Sequence, residues 1–216
     1  MKIAIVGAAG QIGRLTVSAA EQAGHAVLAV ARSGSPPSGS SPSNSVQWVR
    51  GDIQQPQDML RALAGADAVI CTFGAPLTRD TILRPPTMCE IGTRNILAAM
   101  RQHGIARLVC LSAIGVGDSK GRGRWVFRNL VEPLLLRRIF VDRDRQEQLI
   151  RATTVRWSIV RPAELTSGPA GPVRIVQPDD HESPEPATIS RASVAAFLVH
   201  EVVDGRCIGR SPIICH

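Results

Sequence analysis

Three glycines recur at intervals of three in Gly7-Ala8-Ala9-Gly10-Gln11-Ile12-Gly13, directly behind the apolar run Ile3-Ala4-Ile5-Val6. A strand that empties through such a turn into a helix can bind phosphate. The first helical turn leaves backbone N–H groups unpaired and carries the positive end of the helix dipole. Glycine removes the Cβ atoms that would keep a pyrophosphate away from those groups. Gly7, Ala9, Gly10, Gln11, Ile12 and Gly13 are therefore candidates for holding a dinucleotide phosphate. The competing reading is a tight strand-to-helix turn that holds no ligand.

Residues at later strand ends refine the ligand. The second strand ends at Ala31-Arg32-Ser33, with no carboxylate until Asp52. An acidic residue at that place would bond the adenosine ribose of NAD, whereas a guanidinium pairs with the 2′-phosphate of NADP. Arg32, with Ser33 as a second donor, favours NADP(H) over NAD(H). Asp52 and Ile53 follow the third strand, where they would meet an adenine edge and face; Asp52 could equally cap the next helix. Thr72, Phe73 and Gly74 follow the fourth strand, at the carboxyl edge where ligands collect in open α/β sheets. A glycine at position 74 would let the backbone approach the cofactor.

Alternating strand and helix patterns position these residues and point to a doubly wound α/β fold. Strands are expected over Lys2–Val6, His25–Ala31, Val46–Arg50, Asp67–Phe73, Arg107–Ser112 and Val155–Arg161, with further strands at Val173–Val176 and Cys207–Ile214. Helices are expected over Gln11–Ala23, Pro56–Ala64, Pro85–Gln102 and Ser190–Glu201, and over Trp125–Arg151 with a break at Pro133. Ser33–Ser45 reads as a mobile loop and Gly115–Arg124 as a basic surface loop. The whole chain, 1–216, is read as one domain, with a small substrate-side elaboration from about 162 to 190.

Composition narrows the classes. Hydrophobic residues make up 44% of the chain, enough for a substantial core. No apolar run is long enough for a membrane span, and nothing reads as a secretory signal. The five cysteines lack Cys-x-x-Cys spacing, so neither a disulfide framework nor a metal site is expected. A cytoplasmic protein is the expectation. The net charge of +7 raises nucleic acid as a partner, because all basic residues but Lys2 and Lys120 are arginine. Aromatics are only 3%, which leaves few stacking platforms and makes nucleic acid the weaker reading.

Gly7-x-x-Gly10-x-x-Gly13, Arg32, Gly51-Asp52-Ile53, Glu90–Ile96, Leu111-Ser112-Ala113 and Ile159-Val160-Arg161-Pro162 occur in that order. Together they resemble the atypical short-chain dehydrogenase/reductases, NAD(P)H-binding proteins similar to biliverdin reductase B (a flavin reductase) and to NmrA-like proteins. The resemblance implies a Rossmann-like, mainly parallel sheet of order 3-2-1-4-5-6, with a C-terminal strand added and helices on both faces. It implies cofactor contacts from Gly7, Gly10, Gln11, Ile12, Arg32, Asp52, Ile53 and Thr72–Gly74. It also places the nicotinamide end near Ser112, the candidate catalytic residue, and near Pro162–Leu165.

One departure is informative. Ordinary members of that superfamily use a Tyr-x-x-x-Lys pair to donate a proton, and this chain contains no tyrosine. Arg143 stands where many relatives carry lysine; arginine can hold a ribose hydroxyl but does not release a proton near neutral pH. Arg143 and Glu147, four residues apart, would form a helix-face ion pair. His103, His181 and His200 are acids by type only. An intact cofactor set without a proton donor suits reduction of a flat redox acceptor, a flavin or quinone, which takes its protons from water. The alternative is a non-catalytic NADP(H) sensor acting on a protein partner. A nucleotide-sugar isomerase would fit the fold but not the chain length.

Overall fold

Short apolar runs bounded by glycine, proline and polar residues form the strands, and longer amphipathic runs between them form the helices. The computed structural model describes residues 1–37, 43–84, 86–122, 136–177, 180 and 188–216. Strand β1 (Lys2–Val6) leads into α1 (Gln11–Gln22), followed by β2 (Ala26–Ala31), β3 (Val46–Arg50), α2 (Pro56–Ala62) and β4 (Ala68–Cys71). A short helix α3 (Arg79–Leu83) precedes α4 (Met88–His103) and β5 (Arg107–Leu111). Then come α5 (Arg137–Arg151), β6 (Arg156–Pro162), β7 (Glu164–Thr166), β8 (Arg174–Val176), β9 (Thr188–Ser190), α6 (Arg191–Asp204) and β10 (Ile213–Cys215).

The main sheet runs β3-β2-β1-β4-β5-β6-β10-β8, parallel except where β8 meets β10. This is the expected Rossmann-like order with an added C-terminal strand. Because β1, β4 and β5 are central, both of their faces are covered, and their residues are apolar without alternation. Ile3 and Ile5 belong to the core under α1 and α6, while Ala4 and Val6 belong to the core under α2 and α4. Strands β7 and β9 pair with each other as a separate small parallel ribbon.

Several expected boundaries move. Helix α4 starts at Met88, two residues after Pro86, and Pro85 lies outside the described residues. Its capping group comes from far away in sequence: the buried Asp142 carboxylate on α5 accepts from the Cys89 and Glu90 amides at 2.8 and 2.9 Å. Of the helix expected over 125–151, the described part is Arg137–Arg151; Pro133 falls outside. The end of the Ser33–Ser45 segment is anchored, since Ser43 and Ser45 both donate to the Glu21 carboxylate on α1; residues 38–42 lie outside the described set.

Candidate functional site

The carboxyl ends of β1, β2, β3 and β4 open into a cleft of about 370 Å³. Gly7, with φ of +90°, turns the chain out of β1. The Gly7 and Ala8 amides both bond the Val30 carbonyl, at 3.1 Å each, so the loop is tied down to β2. A Cβ on Gly7 would come within 2.8 Å of the Phe73 amide nitrogen, and one on Gly13 within 2.2 Å of the Gly7 carbonyl oxygen. Gly7 and Gly13 therefore have different jobs. Gly7 permits the turn beneath Phe73, whereas Gly13 brings α1 hard against the loop.

Gly10 caps α1 without a side-chain acceptor, and the first turn contains no acidic residue. That helix end is open to an anion, as a dinucleotide phosphate requires. The residues present fit such a group: cleared Cβ positions, an uncapped helix end and an apolar floor occur in one cleft.

The sequence-derived candidates divide. Gly7, Ala9, Gly10, Arg32, Asp52, Ile53, Thr72, Phe73 and Gly74 all border the cleft. Gln11 opens α1, Ile12 is a core residue and Gly13 packs the helix; none of these three residues borders the cleft. Ser33 sits beside it, its hydroxyl engaged with Ser35 in a local turn. Asp52 forms the same kind of turn, its carboxylate accepting from the Gln54 amide at 3.0 Å, and Asp58 accepts from the Asp52 amide. Gln54, Pro76 and Met88 also border the cleft. Nothing in their residue types marked them, because they arrive there only through the loops after β3 and β4.

Arg143 departs from expectation. It does not pair with Glu147; its Nη1 donates to the Leu111 carbonyl at 2.7 Å and to Gln146 Oε1 at 2.8 Å. Its Nη2 lies 2.2 Å from where a Cβ on Gly74 would be. Gly74 thus makes room for a guanidinium beside the cleft, as well as for any approach to a cofactor.

Glu147 is committed elsewhere, in the interior. It is 1% exposed, and Arg161, 0% exposed, donates to both its oxygens: Nε to Oε1 at 3.0 Å and Nη2 to Oε2 at 2.5 Å. A buried carboxylate is best held by such a two-point partner, and the half-buried Arg143, four residues back on the helix, is turned to Leu111 and Gln146 instead. Arg151 adds a longer contact at 3.4 Å and Asp118 bonds Arg161 from outside. Burial opposes charge on Arg161, but the hydrogen bonds and charges of Glu147 and Asp118 outweigh it and raise the guanidinium further. Burial would likewise raise the Asp118 carboxyl, yet Arg161 and then Arg151 hold it below its usual range.

Ser112 joins this group. Its Oγ donates to Glu147 Oε1 at 2.6 Å, so its proton is directed inward and its oxygen remains an acceptor. It sits just past β5, and Pro162 ends the neighbouring β6. The segment expected to be a surface loop covers the pair instead. Val116 and Ser119 are fully buried and Arg122 is 4% exposed. A Cβ on Gly117 would fall 2.5 Å from Arg161 Nη2, so this glycine lets the segment close over the guanidinium. Residues 123 and 124 lie outside the described set.

A second buried pair, Arg107–Glu201 at 2.9 Å, lies at the opposite end of β5. The same chemistry occurs away from the cleft, so a buried Arg–Glu pair is not in itself a catalytic sign. Ser112 is what links the Glu147 pair to the carboxyl edge. Neither His103 nor the thiols add an acid or nucleophile at the cleft. His103 bonds the Leu60 carbonyl at 2.7 Å, and His181 lies outside the described residues. The Cys71 thiol is pushed well above its usual range by its hydrogen bond with Cys110 and by burial. Burial likewise drives Cys89 to about 11.

A family model described as NAD(P)H-binding matches residues 7–204. An uncharacterized chloroplastic protein of Arabidopsis thaliana is 30% identical over 208 residues, spanning 93% of this chain and 70% of that protein. A 2-alkyl-3-oxoalkanoate reductase of Stenotrophomonas maltophilia is 38% identical over 119 residues, which cover 54% of this chain but only 34% of the reductase. Among solved structures, a short-chain dehydrogenase/reductase of Veillonella parvula in complex with NADP superposes with a TM-score of 0.79 at 18% identity, over 100% of this chain and 94% of that one. ChuY of Escherichia coli O157:H7, an anaerobilin reductase, gives 0.75 at 20% identity, over 100% of this chain and 97% of that one. At these identities the solved structures speak for the fold. No helix among the described residues is long and apolar enough to cross a membrane.

Proposed function

The chain belongs to the NAD(P)H-binding family, and on that premise we propose that it is an atypical short-chain dehydrogenase/reductase, an NADPH-dependent reductase of a flat redox acceptor, a flavin or quinone. One observation carries the reading: a cleft lined by the glycine loop and the ends of β1 to β4 stands beside Arg143, in a chain of 216 residues without a tyrosine. When bound, the reduced dinucleotide supplies a hydride. The backbone of Gly7–Gly13 holds the pyrophosphate, Arg32 with Ser33 the 2′-phosphate, and Asp52 with Ile53 the adenine. Thr72, Phe73 and Gly74 line the floor toward the nicotinamide end. There Arg143 offers Nη2 to a ribose hydroxyl, Ser112 offers an accepting oxygen, and Pro162 bounds the site.

None of these groups hands a proton to a substrate near neutral pH. Ketone reduction needs a donor for the developing alkoxide. A flavin or quinone spreads the added charge over its ring and is protonated by water. The reductases among the relatives, one acting on 2-alkyl-3-oxoalkanoates and one on anaerobilin, support small-molecule reduction as a class.

Purified protein with NADPH and FMN, FAD or a benzoquinone should consume NADPH, read as falling absorbance at 340 nm. No loss above background with any of them removes the reductase reading. A non-catalytic sensor then becomes the better account. The exposed side chains of Leu77, Leu83 and Val141 favour it as points for a protein contact. A sensor should bind oxidised and reduced cofactor with clearly different affinities.

Cofactor choice has its own test. Arg32 borders the cleft and has no ion-pair or hydrogen-bond partner among the described residues, so its guanidinium is available to a phosphate. Arg32→Ala should weaken NADPH about tenfold or more while leaving NADH within about twofold. Equal losses for the two cofactors would show that Arg32 does not read the phosphate.

A further inference from the structure

The end of β3 holds a second arginine that the cofactor motifs do not include. Arg50 is the last residue of β3 and stands in register with Ala31, the last residue of β2 and the neighbour of Arg32. The two strand ends are drawn into one corner. The Ala31 carbonyl accepts from both the Gly34 amide at 3.1 Å and the Gly51 amide at 3.0 Å. Gly34 has φ of +66°, and a Cβ there would lie 2.7 Å from Arg50 Cβ and 3.0 Å from Arg50 Cα. Only a glycine lets the Arg32–Ser35 turn fold this closely onto Arg50.

Side-chain alternation puts Arg50 on the same face as Val46 and Trp48, which pack against the core beneath α1. That is the face on which the phosphate-binding helix lies. Arg50 is exposed, and its side chain, like that of Arg32, has no hydrogen bond or ion pair among the described residues. The nearby carboxylate of Asp52 is turned to the Gln54 amide. Two cations thus project from joined strand ends, and neither has an ion-pair partner among the described residues. A dianionic group shared between them would pair with both.

We propose that Arg50 is a second reader of the cofactor's 2′-phosphate, forming with Arg32 a two-arginine clamp at the joined ends of β2 and β3. The inference rests on the NADPH reading above and deepens it. Arg32 reaches the phosphate from the turn, bordering the cleft. Arg50 reaches it from the rim, with its backbone fixed by the β2–β3 ladder. Because both contacts are exposed to solvent, they are screened by salt.

Calorimetric titration of the wild type, Arg50→Ala, Arg50→Lys, Arg32→Ala and the double variant with NADPH, NADH and 2′,5′-ADP tests this without any turnover. Arg50→Ala should weaken NADPH and 2′,5′-ADP about three- to tenfold and leave NADH within about twofold. Arg50→Lys should recover part of the loss, and raising the salt concentration should narrow the NADPH-to-NADH ratio of the wild type. If Arg50→Ala binds 2′,5′-ADP as the wild type does while Arg32→Ala does not, the clamp is wrong and the NADPH reading stands. If Arg50→Ala weakens NADPH and NADH alike, its role is structural and the clamp is again wrong. A wild type that binds the two cofactors equally overturns the NADPH reading and the clamp together.

Discussion

Glu147→Leu should lower the stability of the fold by about 3–5 kcal/mol, more than any exposed ion pair in the chain is worth. The reason lies in what remains after the change. Arg161 is fully buried, and Glu147 is the only buried carboxylate within its reach among the described residues. Asp118 also touches Arg161, but its side chain is 56% exposed and solvent screens it. Leucine fills the volume yet leaves a guanidinium in the core without its two-point partner. In a domain of this size the loss corresponds to a melting temperature lowered by roughly 10 °C.

The pair need not stabilise the fold relative to an apolar replacement, since desolvating two charges offsets most of their attraction. Glu147→Leu combined with Arg161→Met should therefore recover a large part of the loss. Thermal unfolding of the two single variants and the double variant separates these effects. A Glu147→Leu protein that melts within about 2 °C of the wild type would mean that Arg161 finds water or another partner there, contrary to the burial described.

Gly13→Ala is the second large effect, and it should act on binding more than on folding. The added Cβ would sit 2.2 Å from the Gly7 carbonyl oxygen and 2.9 Å from Ala8 Cα. Both are backbone atoms and cannot rotate away, so α1 and the loop must separate by about an ångström. Overpacking of this kind costs about 1–3 kcal/mol, which a domain of this size survives. The amides at the start of α1, however, no longer converge on one phosphate, and misplacement by an ångström is worth about a hundredfold. Titration should show NADPH bound at least about a hundredfold more weakly, with an unchanged far-ultraviolet circular dichroism spectrum. Wild-type affinity in this variant would remove the first turn of α1 from the binding site. Gly10→Ala makes a graded comparison, because its Cβ would meet the same oxygen at 3.3 Å, a contact that small shifts relieve.

How far residue types alone reach is clear from particular elements. The β1–loop–α1 unit was legible because every part of it is local: an apolar strand, glycines at fixed spacing and an amphipathic helix within 22 residues. The strand order followed from the alternation of strands and helices together with the family resemblance. Glu147 was misassigned for an equally local reason. Spacing of four on a helix suggested Arg143, yet the side that faces the sheet meets β6, where Arg161 points inward. The basic character of Gly115–Arg124 suggested solvent, but a buried arginine lies beneath its described part, 115–122, and draws that part down.

What the sequence determined by itself is the kind of protein this is. The glycine spacing behind an apolar strand, Arg32 at a strand end and the ordered motifs from Gly51 to Pro162 come from residue identity and short-range order, and those set the fold class, the family and the likeness of a dinucleotide site. Tertiary structure decided which charges meet. Arg161 with Glu147, Arg143 over Gly74, Asp142 on the start of α4 and Arg50 beside Ala31 join residues from different elements. Such pairings depend on burial and on strand register. The cost of leaving a buried charge or helix end unpaired selects the partner, wherever in the chain it lies.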